Sequence, residues 1–386
     1  MKAMILAAGK GTRVRPITNL VPKPMIPLIG KPIMQSIVEH LKDCGIDRIV
    51  VNTSHLAPLI EDYFRDGSSF GVEMAYSFEG LLVGGQAVGD PVGSAGGLKK
   101  VQEFSGFFDD TFVVLCGDAL INVDLREALR FHWRRNAIAT IILRNVPKED
   151  ASRYGVVATD SDGRVVCFQE KQSIENAVSS TINTGIYIFE PAVFDYIPKG
   201  QPFDIGSELF PKLVAAGAPM YGIELPFEWI DIGSVPDYWE ATRLALNGGI
   251  RNYRLPGREI TPGVRVGINV AMNLEKVTLR GPVVIGSSSS IGDGVVIEGP
   301  TLIGPGCVIE PGAVLRECIL GEYTRVSSVA RLDHVLVFGP NCIKPDGSYI
   351  DIDETRIGWM VDDARRKMEL SDEDSELMEV ARNLGG

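Results

Sequence analysis

The stretch LAAGKGTRVRPITNLVPKP, residues 6 to 24, follows a short apolar run and gathers Gly9, Lys10, Gly11, Arg13, Arg15 and Lys23 among Pro16, Pro22 and Pro24. Glycines let backbone N–H groups approach a ligand without interference from a Cβ, and cationic side chains neutralise it. Such a loop is suited to an anion, above all a phosphate. Two familiar phosphate loops are excluded. A P-loop needs Gly-Lys followed by Ser or Thr, whereas Lys10 is followed by Gly11. A dinucleotide fingerprint needs a third glycine where Val14 stands. The six cysteines form no CxxC pair and the four histidines have no ligand spacing, which argues against a structural zinc site. Cys116 and Cys167 lie in apolar runs, where a thiol is normally buried.

An anion loop needs a rigid frame behind it. KAMILAA has the composition of a buried strand, and PIMQSIVEHLKDCG is an amphipathic helix with apolar residues at 33, 34, 37, 38 and 41, closed by Gly45. DRIVVNTS returns as a strand, and TFVVLCGD, AIATIILRNV and TINTGIYIFEP are further strands. Strand–helix–strand units predict a Rossmann-like α/β domain over residues 1–248, with a mostly parallel sheet. Ligands should gather at the carboxyl ends of its strands.

Near residue 250 the pattern changes. From 283 a six-residue repeat runs through Ile285, Ile291, Ile297, Ile303, Ile309 and Leu315, slips by one residue, and resumes at Leu320, Val326, Leu332 and Phe338. A hexad repeat predicts a left-handed parallel β-helix over 249–350, of about three coils at roughly 18 residues per coil. The slip between 315 and 320 predicts a shortened, distorted corner. Residues 351–386 form an acidic tail. Its Ser371 and Asp374 have capping-box spacing, and Leu377, Val380, Ala381 and Leu384 fall on one helical face, predicting a short helix that packs on the β-helix or on a neighbouring subunit.

At 386 residues the chain exceeds one ordinary core. A formal charge of −12 argues against a nucleic-acid or anionic-membrane surface, so a phosphate ligand depends on a local cationic pocket such as the opening loop. The first apolar run is too short for a signal peptide and no stretch reaches membrane-spanning length, so a cytoplasmic location is expected.

With both halves placed, the chain resembles the sugar-1-phosphate nucleotidyltransferases (nucleoside-diphosphate-sugar pyrophosphorylases) that carry C-terminal hexapeptide repeats. The resemblance rests on the opening loop and then, in order, on GSAGGL (93–98), CGDALINVDL (116–125), YGVV (154–157), QEKQ (169–172), NTGIYIF (183–189) and WIDIGSVPDYWEA (229–241). It implies that a sugar-phosphate oxygen attacks the α-phosphorus of a nucleoside triphosphate and that pyrophosphate leaves. That reaction demands charge neutralisation and positioning more than covalent chemistry.

The resemblance also implies roles for particular residues. Ala7, Ala8, Gly9, Gly11, Thr12 and Arg13 would hold the triphosphate, with Arg13 on the leaving phosphates, and Gly93, Ser94, Ala95 and Gly96 would lie against the base. Lys23 would stand near the reacting phosphates. Glu170 and Lys171 would face the sugar and its phosphate, and Gly155 and Asn183 would line the sugar ring. Asp118 and Asp231 would carry Mg²⁺. Arg13, Lys23 and Lys171 are thereby the catalytic candidates, while Lys10 and Arg15 fit either a ligand contact or a surface charge. The chain departs from the family pattern at Asn122, where relatives often have an aspartate, and at Gln172, where a proline is usual. Asp124 is kept, with a loop or helix-cap role expected for it.

The architecture is most similar to mannose-1-phosphate guanylyltransferases, implying GTP and mannose 1-phosphate as substrates. Using ATP, UTP or dTTP with glucose 1-phosphate would change the product and leave the machinery intact. A non-catalytic subunit that keeps the fold and senses nucleotide or nucleotide-sugar is a second reading. An acyltransferase on the β-helix would need a basic histidine, and the repeats offer only His334. The β-helix is therefore expected to serve as an assembly scaffold for a homo-oligomer.

Overall fold

In the computed structural model, which describes residues 1–170, 178–251, 253–367 and 372–384, the strand Lys2–Leu6 lies inside a nine-stranded sheet. It pairs in parallel with Arg48–Thr53 on one side and Phe112–Cys116 on the other. Arg48–Thr53 continues in parallel to Glu73–Phe78. Beyond Phe112–Cys116 the sheet turns antiparallel through Thr181–Phe189, which also pairs with Ala139–Asn145 and with Val156–Thr159. The helix Ile33–Asp43 buries Ile33, Met34, Ile37, Val38 and Leu41, the stripe predicted from its periodicity. Gly45 closes it with a φ of +83°, a conformation that costs glycine little.

These elements belong to the first of two compact units, which comprises Met1–Gly11, Val21–Ile26 and Pro32–Asp231. Behind the sheet lies a buried polar network. His132 is fully enclosed, with Nδ1 2.7 Å from the Thr140 hydroxyl and Nε2 3.1 Å from Glu190 Oε1. A carboxylate can only accept, so Nε2 carries the proton and Nδ1 accepts from Thr140. Burial lowers the His132 pKa below its ordinary 6.5, with Glu190 opposing more weakly. A depressed folded-state pKa contributes stability above the unfolded value and loses it as pH falls. Thermal unfolding should therefore shift to lower temperature as pH drops below 6.5. His132→Asn should flatten that dependence, a difference that calorimetry across pH 5 to 8 will register.

The second unit comprises Thr12–Leu20, Pro27–Lys31 and the chain from Ile232. Its body is the left-handed parallel β-helix. One face stacks Val264–Val266, Val283–Ile285, Thr301–Ile303, Ile319–Leu320 and Leu336–Phe338 in parallel register. A second stacks Ala271–Met272, Ser290–Ile291, Val308–Ile309 and Thr324–Val326. The third, four-stranded face runs from Thr278–Arg280 to Arg331–Asp333. The hexad residues Ile285 to Leu332 are buried in the interior.

Two details differ from the sequence pattern. A complete coil precedes residue 283, its inward positions Val266, Met272 and Leu279 standing in register with Ile285, Ile291 and Ile297. The uneven spacing of those three residues hides them from a search for hexads. At the other end Val337, not Phe338, stands over Leu320, because the corner is shortened twice. Gly299-Pro300 is replaced at the next corner by Glu317, at φ +46°, and one coil later by His334, at φ +52°. Stacking survives: Glu317 N donates to Glu298 O at 2.9 Å and His334 N to Arg316 O at 3.0 Å.

Beyond residue 350, Ile352 and Val361 join the apolar cluster of the repeats, and Val361–Asp363 pairs antiparallel with Thr324–Val326. The terminal helix is Asp372–Leu384. Among its described side chains Met378 is buried, whereas Leu377 and Val380 of the predicted apolar face are exposed. Ser371 lies outside the described residues. No described helix is long and apolar enough to cross a membrane.

Candidate active site

A cleft of about 280 Å³ opens at the carboxyl ends of the parallel strands, lined by residues that include Ala7, Ala8, Gly9, Lys23, Glu79, Gly93, Ser94 and Asp118. Each reaches it for a local reason. The chain leaves Lys2–Leu6 with Ala7 and Ala8 buried, and Ala7 N donates to Asn52 Oδ1 at 2.7 Å. No described protein atom lies within 4 Å of the position a Cβ at Gly9 would take, and Gly11 adopts φ +60°. Lys23 opens the one-turn helix Lys23–Met25, entered from Pro22 in an extended conformation and followed by buried Pro24. Proline on both sides fixes φ and restricts where the lysine can point.

Asp118 follows the strand Phe112–Cys116, and Gly117 N continues the ladder to Leu6 O at 2.9 Å, which brings Asp118 beside the opening loop. Asp231 arrives from more than a hundred residues away through an antiparallel pair, Trp229–Asp231 with Ala119–Ile121, in which Asp231 is opposite Ala119. The two carboxylates converge on one ammonium. Lys23 Nζ is 2.5 Å from Asp118 Oδ2 and 3.8 Å from Asp231 Oδ1. Among the described residues no group of three or more His, Cys, Asp and Glu is arranged to hold a metal.

Asn122, the departure from the family pattern, has a structural task. Its Nδ2 donates to Glu228 Oε2 at 3.0 Å and its Oδ1 accepts from Glu228 N at 2.7 Å, a two-way clamp beside the pair that carries Asp231. An aspartate there would lose the donor and face a second carboxylate. Like charges across paired strands cost roughly 0.2–1 kcal/mol, so Asn122→Asp should lower turnover by at most about fivefold. Adding Glu228→Gln should restore it, which a double-mutant cycle in steady-state kinetics will check. Asp124 caps the helix Leu125–Arg134, accepting from Arg126 N and Glu127 N.

The candidate sugar-side residues also meet. Asn183 N donates to Gly155 O at 2.8 Å, Asn183 Oδ1 accepts from Gly185 N, and its Nδ2 donates to the Tyr187 hydroxyl. Glu170 Oε2 lies 2.9 Å from the position a Cβ on Gly155 would occupy, so a side chain there would collide with the carboxylate. Lys171 and Gln172 lie outside the described residues.

On the base side Gly93 has φ +79° and a Cβ there would stand 2.5 Å from Phe203 O, so only glycine fits. It caps the helix Ser94–Ser105, in which Ala95 and Gly96 are buried. Thr12 and Arg13 are exposed on the short turn Thr12–Val14 of the second unit, which is anchored by buried Val14 and Ile17.

Sequence reasoning missed Asn52 and Glu79. Asn52 Nδ2 donates to Glu79 Oε1 at 2.8 Å, and Glu79 Oε2 accepts from Val92 N at 3.0 Å, tying the opening loop to the base-side loop. Burial pushes the Glu79 carboxyl above its ordinary 4.5 while these hydrogen bonds pull against it. The signal was a polar residue inside the apolar run RIVVNTS. The Cys116 thiol on the same cleft is pushed up by burial and stays protonated.

A cleft at parallel strand ends, with two aspartates sharing a lysine, followed by stacked hexads, defines a nucleotidyl-transferring enzyme joined to a hexapeptide-repeat domain. The chain belongs to the Nucleotidyl transferase family, which it matches over residues 2–248, and residues 282–317 match the Bacterial transferase hexapeptide (six repeats) family.

It is 56% identical to a UTP–glucose-1-phosphate uridylyltransferase of Synechocystis over 95% of this chain and 94% of that one. It is 33% identical to a mannose-1-phosphate guanylyltransferase of Mycobacterium tuberculosis over 80% of this chain and 82% of the other. A solved UDP-glucose pyrophosphorylase shares the fold at a TM-score of 0.54 and 22% identity, with 64% of this chain and 98% of that one covered.

Proposed function

We propose that this chain transfers a uridylyl group from UTP to glucose 1-phosphate, giving UDP-glucose and pyrophosphate. The observation that carries the choice is the 56% identity, along almost the whole chain, to a uridylyltransferase of that specificity. Guanylyl transfer to mannose 1-phosphate, favoured by sequence architecture, is the second reading and draws on relatives at 33% identity.

In this proposal an oxygen of the sugar phosphate forms a bond to the α-phosphorus as the bond from that phosphorus to the bridging oxygen breaks. Pyrophosphate departs with the electron pair. Ala7, Ala8, Gly9, Gly11 and Thr12 offer backbone and hydroxyl donors to the triphosphate, and Arg13 meets the leaving phosphates. Gly93 to Gly96 border the base. Gly155, Glu170 and Asn183 hold the sugar, and the family resemblance assigns Lys171 to its phosphate. Lys23 brings positive charge to the meeting point of the two anions.

The donor set of Asp118 and Asp231 fits Mg²⁺, which typically takes one or two carboxylates together with phosphate oxygens and water. That these two carboxylates already share one cationic partner supports the fit. When bound, Mg²⁺ would offset phosphate charge. We place assembly of a homo-oligomer on the β-helix, whose stacked faces offer a surface for a second copy.

The purified chain should be screened with five nucleoside triphosphates against glucose 1-phosphate and mannose 1-phosphate, reading pyrophosphate release. UTP with glucose 1-phosphate is expected to give the highest kcat/KM. A preference for GTP with mannose 1-phosphate would replace this reading with the second, and no release with any pair would mark a non-catalytic subunit.

A further inference from the structure

One short segment, residues 203–207, joins the base side of the cleft to the sugar side, and nothing in the sequence singles it out. Toward the base it pairs with the glycine-rich loop: Phe203 N donates to Val92 O at 3.0 Å and Gly96 N to Phe203 O at 2.8 Å. Asp204 then locks the junction. Its Oδ2 accepts from the Ser94 hydroxyl at 2.7 Å, and Ser94 Oγ accepts in turn from Ile205 N at 2.8 Å. Its Oδ1 accepts from Gly206 N and Ser207 N, each at 2.9 Å, and from the Ser207 hydroxyl at 3.1 Å. Toward the sugar, Gly206 presses on Glu170: a Cβ added to it would stand 2.8 Å from Glu170 Oε2. That oxygen is the one that crowds Gly155.

Burial alone would push the Asp204 carboxyl up, yet hydrogen bonds from Ser207, Ser94 and Gly206 together hold it below its ordinary value. Asp204 is thus an ionised group, partly withdrawn from water, whose two oxygens are both engaged. One oxygen serves Ser94 and the other serves Gly206 and Ser207. Moving either side strains a charge-assisted bond on the other.

We propose that Asp204 is a positioning residue that couples the two substrate subsites, so that order imposed on the Ser94 loop by the nucleotide favours binding of the sugar phosphate beside Glu170. The inference rests on the nucleotidyl-transfer reading above. Coupling of this kind is reciprocal and typically amounts to about 5- to 150-fold in affinity. It travels through hydrogen bonds from Ser94 to Gly206 and then through the close approach of Gly206 to Glu170, all within the first unit.

The test is calorimetric binding of glucose 1-phosphate to the full chain, with and without a saturating non-hydrolysable UTP analogue, and the reciprocal titration. In the wild type each ligand should tighten the other by about tenfold. In Asp204→Ala that factor should fall toward one. Should Asp204→Ala fail to fold, Ser94→Ala removes the cross-link while leaving the carboxylate on Gly206 and Ser207, and it should show the same loss of mutual tightening. Wild-type binding of both ligands without mutual tightening would overturn the coupling, as would full tightening in either variant. A wild type that binds neither ligand, and no other pair from the substrate screen, would instead defeat the functional reading on which the coupling rests.

Discussion

Asp118→Ala and Asp231→Ala should each lower kcat by a factor on the order of 10²–10³ at saturating Mg²⁺ while leaving the melting temperature nearly unchanged. Both aspartates pair with Lys23, and they reach it from distant segments joined by a short antiparallel pair. Removing one leaves the other to balance the lysine, so no charge is stranded in the cleft and the fold has little reason to weaken. What is lost is one of the two carboxylates assigned to Mg²⁺. At lower Mg²⁺ the loss should be larger still, because a single carboxylate holds the metal more weakly than two. Turnover within threefold of wild type in either variant would remove these residues from the proposed metal site.

Lys23→Ala should lower kcat by about ten- to a hundredfold, the range expected for a charge-assisted hydrogen bond of roughly 1.5–3 kcal/mol, and should change the UTP KM much less. The lysine is nearly buried between the two aspartates, on a turn fixed by flanking prolines, so it is preorganised where two anions are to be brought together. An interaction made mainly in the transition state lowers kcat and kcat/KM together. Arg13 provides the contrast. It is exposed on a turn and assigned to phosphates already charged before reaction, so Arg13→Ala should act chiefly on the UTP KM. Steady-state kinetics with each substrate varied in turn separates the two patterns. Equal effects of both variants on KM alone would show that Lys23 contributes only to binding.

The parts of the molecule that could be read from the chain are those in which one residue type serves one periodic need. The hexads from Ile285 to Leu315 had to be apolar because each points into the one interior enclosed by the three faces, and so they announce the β-helix. The helix Ile33–Asp43 announced itself for the same reason. The first coil did not, because Val266, Met272 and Leu279 sit only partly buried at an open end where spacing and composition relax. The pairing of Asp118 with Asp231 depends on a register between distant segments that local pattern does not encode. Asn52, Glu79 and Asp204 are not legible in the sequence because their work is done through hydrogen bonds to distant loops, to the Ala7 and Val92 backbone and to the Ser94 hydroxyl, and such geometry leaves no spacing rule behind.

Two pieces of the N-terminal sequence, residues 12–20 and 27–31, are compact with the repeats that lie more than two hundred residues later. Leu20 lies against Gly339, where a Cβ would approach its Cδ1 to 2.5 Å, and the hydroxyls of Tyr238 and Tyr253 donate to Pro27 O and Leu28 O. For genetic exchange this has a direct consequence. A crossover at residue 248 that replaced the repeats with those of a distant relative would keep the whole family-matched segment and still give Leu20 a foreign neighbour. Gly339 and Leu20 are thus expected to be inherited together, and functional chimeras should be those in which the incoming repeats bring a glycine to that corner.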